Sequence, residues 1–297
     1  MAEVITSNFP AVPTWLIGLF IVVAVSLVIF GGIRWIAKIC EKLIPFMALA
    51  YALGCIIIIA MNWAFLADTI VLICTSAFSG EAAFGGAVGF GLMQAMRAGC
   101  ARGLFSNESG MGSAPIAASA AKTRNPARQS LVSMTGTFWD TVVICALTGI
   151  VIVSTMLAYP EMLSSGEITA GGALTSAAFS KIPFIGTPIL VVGMILFAFT
   201  TTLGWSYYGD RCITYLFGKR AIKPYHVLYV IVAFLGAIGI GDLVWQLSDI
   251  ANALMVIPNI IVVLLLSGLV ARETKHYVYQ DNLLEVDETP IPTIETK

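Results

Sequence analysis

The sequence predicts an all-α polytopic membrane protein with about seven transmembrane helices, one of them broken near Asn107 to Ser113. Three observations carry this: long apolar blocks recur along the chain, the composition is 58% hydrophobic and 11% charged, and basic residues gather in alternate gaps between the blocks. A water-soluble chain of 297 residues would carry about 25% charge and would not need so many spans of this length.

Taken in order, the blocks are Trp15 to Phe30, Phe46 to Phe65, Thr137 to Leu157, Ile185 to Gly204, Val227 to Ile240 and Leu243 to Val270. Most approach or exceed the ~17 to 25 residues that cross a bilayer core as a helix. Of the 16 Lys and Arg, thirteen fall into four groups: Arg34, Lys38 and Lys42; Lys122, Arg124 and Arg128; Arg211, Lys219, Arg220 and Lys223; and Arg272, Lys275 and Lys297. The loop from Tyr159 to Ile182 holds only Lys181, beside Glu161 and Glu167. The positive-inside rule puts the four groups in the cytoplasm. The first block then runs inward and the second outward, the region ending at Lys122 returns, and four further crossings leave the C-terminus cytoplasmic and Met1 external.

The opening "MAEVITSNFPAVPTW" has neither a basic n-region nor a cleavage site, so it is not a signal peptide and does not explain export of Met1. The expectation is that further helices precede it. Residues 1–272 read as one membrane domain and 273–297, polar and acidic, as a disordered cytoplasmic tail. The mixed run Trp63 to Phe78 reads as an external helix lying on the bundle. Gly85, Gly86, Gly89 and Gly91 read as small-residue helix contacts, and six cysteines without CxxC spacing read as packing residues. A net charge of −1 without a basic face argues against nucleic acid.

The stretch "GLFSNESGMGSAPIAASAAKTRNPAR", Gly103 to Arg128, stands out by its polarity. With Ala114 to Ala121 helical at ~1.5 Å per residue, Ser113 lies about 13 Å above Lys122, near the bilayer midplane. Gly110 and Gly112 each cost about 1 kcal/mol against alanine in a helix, and Pro115 lacks an N–H. A helix broken into two halves is expected, with Pro115 in the first turn of the inner half. Half-helix N-termini suit a carboxylate and freed carbonyls suit a sodium ion; the simpler alternative is a Pro/Gly kink filled by neighbouring side chains. Glu108 in the break, Asp140 about ten residues into the next helix and Arg102 on the outer half form a candidate charge network, because charges at membrane depth pair and mark pathways. Otherwise Arg97 and Arg102 sit in a wet external vestibule.

A second polar patch, "FAFTTTLGWSYYGDR", interrupts the block beginning at Ile185. Thr201, Trp205 and Tyr208 recur at i, i+4 and i+7 and share one helical face. Threonine hydroxyls offer hard oxygen ligands to a small cation, and Trp205 a wall to a small apolar side chain. Equally open is that the threonines bond back to carbonyls one turn earlier.

These stretches, with "TFWDTVVICALTGIVIV", "DLVWQLSDIANALMVIPNIIVVLLLSGLV" and "GGIRWIAKICEKLIPFMAL", resemble the alanine or glycine:cation symporter family, the sodium:alanine symporters. The resemblance implies an inverted-repeat bundle of the leucine-transporter type with about eleven helices, of which this chain supplies the C-terminal seven as a partial bundle. The broken segment with Ser106, Asn107 and Gly110 would open the second repeat and face a broken helix that precedes this sequence. Thr201, Gly204 and Trp205 match the motif lining the family's amino-acid pocket, and Thr200 and Thr201 match where sodium is bound. The implied function is sodium-coupled symport of alanine or glycine across the cell membrane by alternating access, residues 1–272 forming the transport domain and sodium acting as coupling ion. Another cation-coupled carrier of the same fold is the nearest alternative. A channel would need a continuous lined pore. An intramembrane enzyme using Glu108 and Asp140 finds little support, since no HExxH or protease motif is present and His226 and His276 fall in or near cytoplasmic loops, where solvated side chains are expected.

Overall fold

The computed structural model describes residues 13–78, 99–101, 103–161, 171–238 and 241–286, and every regular element among them is helical. In chain order these are α1 (Thr14–Ile29), α2 (Ile33–Met61), a 3-10 turn leading into α3 (Leu66–Phe78), α4 (Ala114–Ala118), α5 (Pro126–Thr137), α6 (Ala146–Ala158), α7 (Gly171–Phe179), α8 (Gly186–Phe217), α9 (Ile222–Ala237) and α10 (Gly241–Thr274). A π-helical segment, Phe138–Cys145, joins α5 to α6 without interruption. Among the described residues, four helical stretches are long and apolar enough to cross a membrane: Ile33–Met61, Pro126–Ala158, Gly186–Phe217 and Gln246–Tyr279. The chain is a multi-pass membrane protein.

The second apolar block begins at Phe46, yet α2 begins thirteen residues earlier, at Ile33. Arg34, Lys38 and Lys42 therefore lie on its first turns rather than in a loop. Their spacing of four puts them on one face, and the apolar residues between them continue the helix; at about 43 Å, α2 outruns a bilayer core of about 30 Å. The basic cluster is therefore carried on helix rather than in a loop.

Two apolar clusters hold the bundle. Ile17, Ile21, Val25 and Ile29 of α1 pack on Ile36 of α2 and on Leu203 and Tyr207 of α8. Tyr51, Cys55 and Ile58 of α2 pack on Val151 of α6, Phe179 of α7 and Leu190 of α8, with the Tyr51 and Phe179 rings stacked at 5.4 Å. Below α3, the buried Asn62 amide donates to Thr155 Oγ1 at 3.1 Å and to Ser154 Oγ at 3.4 Å, which pins the end of α2 to α6. By contrast α10 exposes apolar side chains along its length, Leu264 and Leu265 at 67% and 78% among them. A single helix so exposed fits a hydrocarbon surround, not water.

Residues 273–286 depart from the expected disordered tail. The helix of α10 continues into a π turn, Lys275–Tyr279, and the chain folds back so that Asn125 donates to the carbonyls of Leu283 and Glu285 at 3.2 and 3.0 Å. The same Asn125 caps α5, accepting from the Arg128 N–H at 3.0 Å. One amide thus meets both a helix terminus and a passing strand of backbone, which no local composition announces. The Gly85 to Gly91 region lies outside the described residues.

Candidate functional site

The break is where the sequence puts it. Residues 103–107 are helical and α4 begins at Ala114 with Pro115 in its first turn, but it ends at Ala118 rather than at the expected Ala121. Between them Glu108 has φ 57°, Gly110 77° and Gly112 84°. Asn107 ends the outer half by an Asx turn, its Oδ1 accepting the Ser109 N–H at 2.9 Å. Left-handed backbone is inexpensive at the glycines and unfavourable at Glu108, so the acidic residue is held there by its surroundings.

Three hydrogen bonds attach the break to the next helix. Ser106 Oγ donates to Asp140 Oδ2 at 2.8 Å, Asn107 Nδ2 donates to Thr141 Oγ1 at 3.0 Å, and the Ser109 and Thr137 hydroxyls meet at 3.2 Å. Thr137, Asp140 and Thr141 lie at i, i+3 and i+4, with Asp140 and Thr141 inside the π segment. Such a segment inserts a residue into the turn and re-aims the side chains around it, and these segments recur at functional sites.

On the other side the break meets α8. The Phe105 ring stacks on Trp205 at 6.0 Å, Trp205 meets Tyr208 edge-on at 5.6 Å, and the Tyr208 hydroxyl faces Glu108. The shared face of Thr201, Trp205 and Tyr208 is therefore the face of α8 turned to the break. Further along it, Thr201 and Thr202 line a cavity of about 550 Å³ with Tyr51, Ile144, Thr175 and Phe197. The buried Thr200 hydroxyl donates to the carbonyls of Leu196 and Phe197 at 3.0 and 3.1 Å, and Thr202 donates to Ala198 O at 2.7 Å. Bonding back to the preceding turn thus describes Thr200 and Thr202, while Thr201 opens to the cavity. Gly204 has open space where a Cβ would stand.

The structure brings together Ser106, Asn107, Glu108, Asp140, Trp205 and the Tyr208 that shares its face. Asp140 receives Ser106, and Glu108 turns to Tyr208. Arg97 and Arg102 lie outside the described residues. The freed Gly110 carbonyl accepts Asn259 Nδ2 of α10 at 2.9 Å. Asn259 was not singled out from sequence, although a lone amide after Pro258 inside "MVIPNIIVVLLL" is a visible signal.

His226 corrects an expectation. It is 6% exposed rather than solvated, with Nε2 2.7 Å from Asp210 Oδ1 and the Phe30 ring edge-on at 5.6 Å. Asp210 and His226 sit sixteen residues apart on α8 and α9, whose approach is supported by Tyr229 OH donating to Thr202 O at 2.7 Å. Gly209 leaves room for the Tyr225 ring; a Cβ there would overlap it.

Long apolar helices, with a broken segment tied by polar side chains to a π-helical neighbour and faced by an aromatic stripe, define the class of a multi-pass membrane protein. Residues 1–289 match the sodium:alanine symporter family, and the chain belongs to that family. It is 44% identical over 289 residues to an uncharacterized transporter of Haemophilus influenzae, covering 96% of this chain and 61% of that protein. It is 43% identical over 278 residues to a sodium/alanine symporter of Methanococcus maripaludis, covering 93% and 59%. A probable sodium/glutamine symporter of Bacillus subtilis is 36% identical over 266 residues, covering 89% and 54%. The chain thus spans about three fifths of the length of the first two relatives. Membership in a family of symporters sets aside the intramembrane enzyme.

Proposed function

We propose that this chain serves sodium-coupled symport of a small neutral amino acid, alanine or glycine, by alternating access in the cell membrane, with its C-terminus cytoplasmic and its N-terminus external. The observation that carries the reading is the break itself, from Asn107 to Ser113, set between the Asp140 face of the π segment and the Trp205 face of α8 in a chain of this family. In this reading the fold is part of a leucine-transporter-type inverted-repeat bundle. Ser106, Asn107 and Gly110 with Thr201, Gly204 and Trp205 form this chain's share of the amino-acid site. Thr201, which lines the cavity, is the better placed of the two threonine candidates for sodium; Thr200 would contribute only by giving up its bonds to its own helix. Ser106 bonded to Asp140 and Glu108 facing Tyr208 attach the first half of the broken helix to two different neighbours, the kind of two-sided attachment that a rocking movement can exchange.

Countertransport of labelled alanine in proteoliposomes holding the full chain tests the proposal. Exchange that requires sodium and is suppressed by unlabelled glycine supports it. Equal exchange in choline, or none in sodium, overturns it. Unlabelled glutamine forms a further arm, because the cavity beside Thr201 exceeds an alanine side chain and one relative is named for glutamine.

A further inference from the structure

The break leaves backbone groups without helical partners, and one of them is met by an element that the site described above does not use. Asn259 lies on α10 directly after Pro258, which interrupts that helix's own bonding. Its Nδ2 donates to Gly110 O at 2.9 Å. Two residues on, a Cβ at Gly112 would stand 3.2 to 3.3 Å from Asn259 Oδ1, Cβ and Cγ, so the same side chain also lies flat against the second left-handed glycine. Met111, between the two contacts, is 2% exposed. Gly110 and Gly112 are the positions at which the backbone reverses, and a glycine pair has little conformational preference of its own. Within the segment a long backbone bond, Met111 N–H to Glu108 O at 3.4 Å, closes one turn, and contacts from outside complete the arrangement. The bonds of Ser106, Asn107 and Ser109 to the π segment fix only the outer part, up to residue 109.

We propose that Asn259 is the positioning residue of the break: one amide on α10 holds Gly110 and Gly112 and fixes the turn that carries Gly110, the site residue that the bonds to the π segment leave free. Asn259 touches backbone, not cargo, so its effect reaches the amino acid through the segment it holds. Removing the donor while keeping the branched shape, Asn259→Leu, frees the turn. Asn259→Gln keeps an amide in reach and restores it in part.

The test has two arms, of which only the kinetic one rests on the transport reading. In the first, Met111→Cys is introduced into the purified full chain, and maleimide labelling is read peptide by peptide by mass spectrometry. Exposed Cys74 serves as reference and buried Cys55 as a monitor of general loosening. Asn259→Leu should raise labelling at position 111 about fivefold, the factor one ordinary hydrogen bond supplies, with Cys55 unchanged and Asn259→Gln lower. Labelling at 111 that stays at the unsubstituted rate, or that rises together with Cys55, overturns the proposal. In the second arm, Asn259→Leu should raise the half-saturating alanine concentration about fivefold and leave the maximal rate within a factor of about two. A fall in maximal rate at unchanged half-saturation overturns the positioning role. If the unsubstituted protein carries no alanine while labelling at 111 rises as expected, the transport reading fails and the grip of Asn259 stands.

Discussion

Gly112→Ala should destabilise the fold more than Gly110→Ala, and the difference isolates the contact between the break and α10. Both glycines are left-handed, at φ 84° and 77°, and an L side chain in that region costs about 1–2 kcal/mol. At Gly110 nothing stands within 4 Å of the added Cβ, so this strain is the whole effect. At Gly112 the Cβ would also press on Asn259 at 3.2 Å, and forcing an extra methyl into packed surroundings costs a further ~1–3 kcal/mol. The expected losses are therefore about 1–2 kcal/mol for Gly110→Ala and about 2–5 kcal/mol for Gly112→Ala. Adding Asn259→Ala to Gly112→Ala should recover the share of the steric part due to Oδ1 and Cγ, while the contact with Cβ and the strain remain, a less than additive pair. The assay is equilibrium unfolding of the full chain in mixed micelles titrated with a denaturing detergent. Equal losses at the two glycines, or strict additivity of Gly112→Ala with Asn259→Ala, would refute the reasoning.

Trp205→Ala removes the ring stacked on Phe105 and should admit larger amino acids; the expectation fails if they remain excluded while alanine uptake is intact. Asp140→Asn keeps an acceptor for Ser106 but loses charge assistance, about 1 kcal/mol, so alanine uptake should fall about fivefold, and unchanged uptake removes Asp140 from the network. Gly209→Ala drives a methyl into the Tyr225 ring and should lower the unfolding midpoint through the α8 and α9 contact; Gly209→Ala paired with Tyr225→Leu should regain part of the loss, and no recovery contradicts the contact. Asn62→Ala leaves the Ser154 and Thr155 hydroxyls with only their own-helix bonds and should destabilise by about 1–3 kcal/mol in the same unfolding assay.

The helix break was legible because its causes are local: two glycines and a proline in six residues disfavour a continuous helix whatever surrounds them. The face shared by Thr201, Trp205 and Tyr208 was legible for the same reason, since the helical period alone sets it. The π segment was not, because nothing in "FWDTVVIC" departs from an ordinary apolar helix; the widened turn is visible only in the backbone that presents Asp140 and Thr141 to Ser106 and Asn107. His226 was misread because its burial depends on Asp210 of another helix, and a loop-flanking position looks solvated until that helix arrives. The start of α2 at Ile33 was missed because averaged hydropathy marks hydrocarbon depth, not helix, and Arg34, Lys38 and Lys42 are carried on the helix's first turns. The fold-back of residues 281–286 onto Asn125 joins positions about 160 apart, a distance over which neither composition nor period carries information.

The central claim is that the break and the Trp205 face of α8 together hold a small neutral amino acid under the control of sodium. Equilibrium binding of labelled alanine to the purified full chain, measured in sodium and in choline and repeated with Asn107→Ala, tests it most directly. The account predicts saturable binding that requires sodium and weakens at least about fivefold in Asn107→Ala, which loses both the Thr141 bond and the Asx turn. Alanine binding that is indifferent to sodium, or that survives Asn107→Ala unchanged, would contradict it.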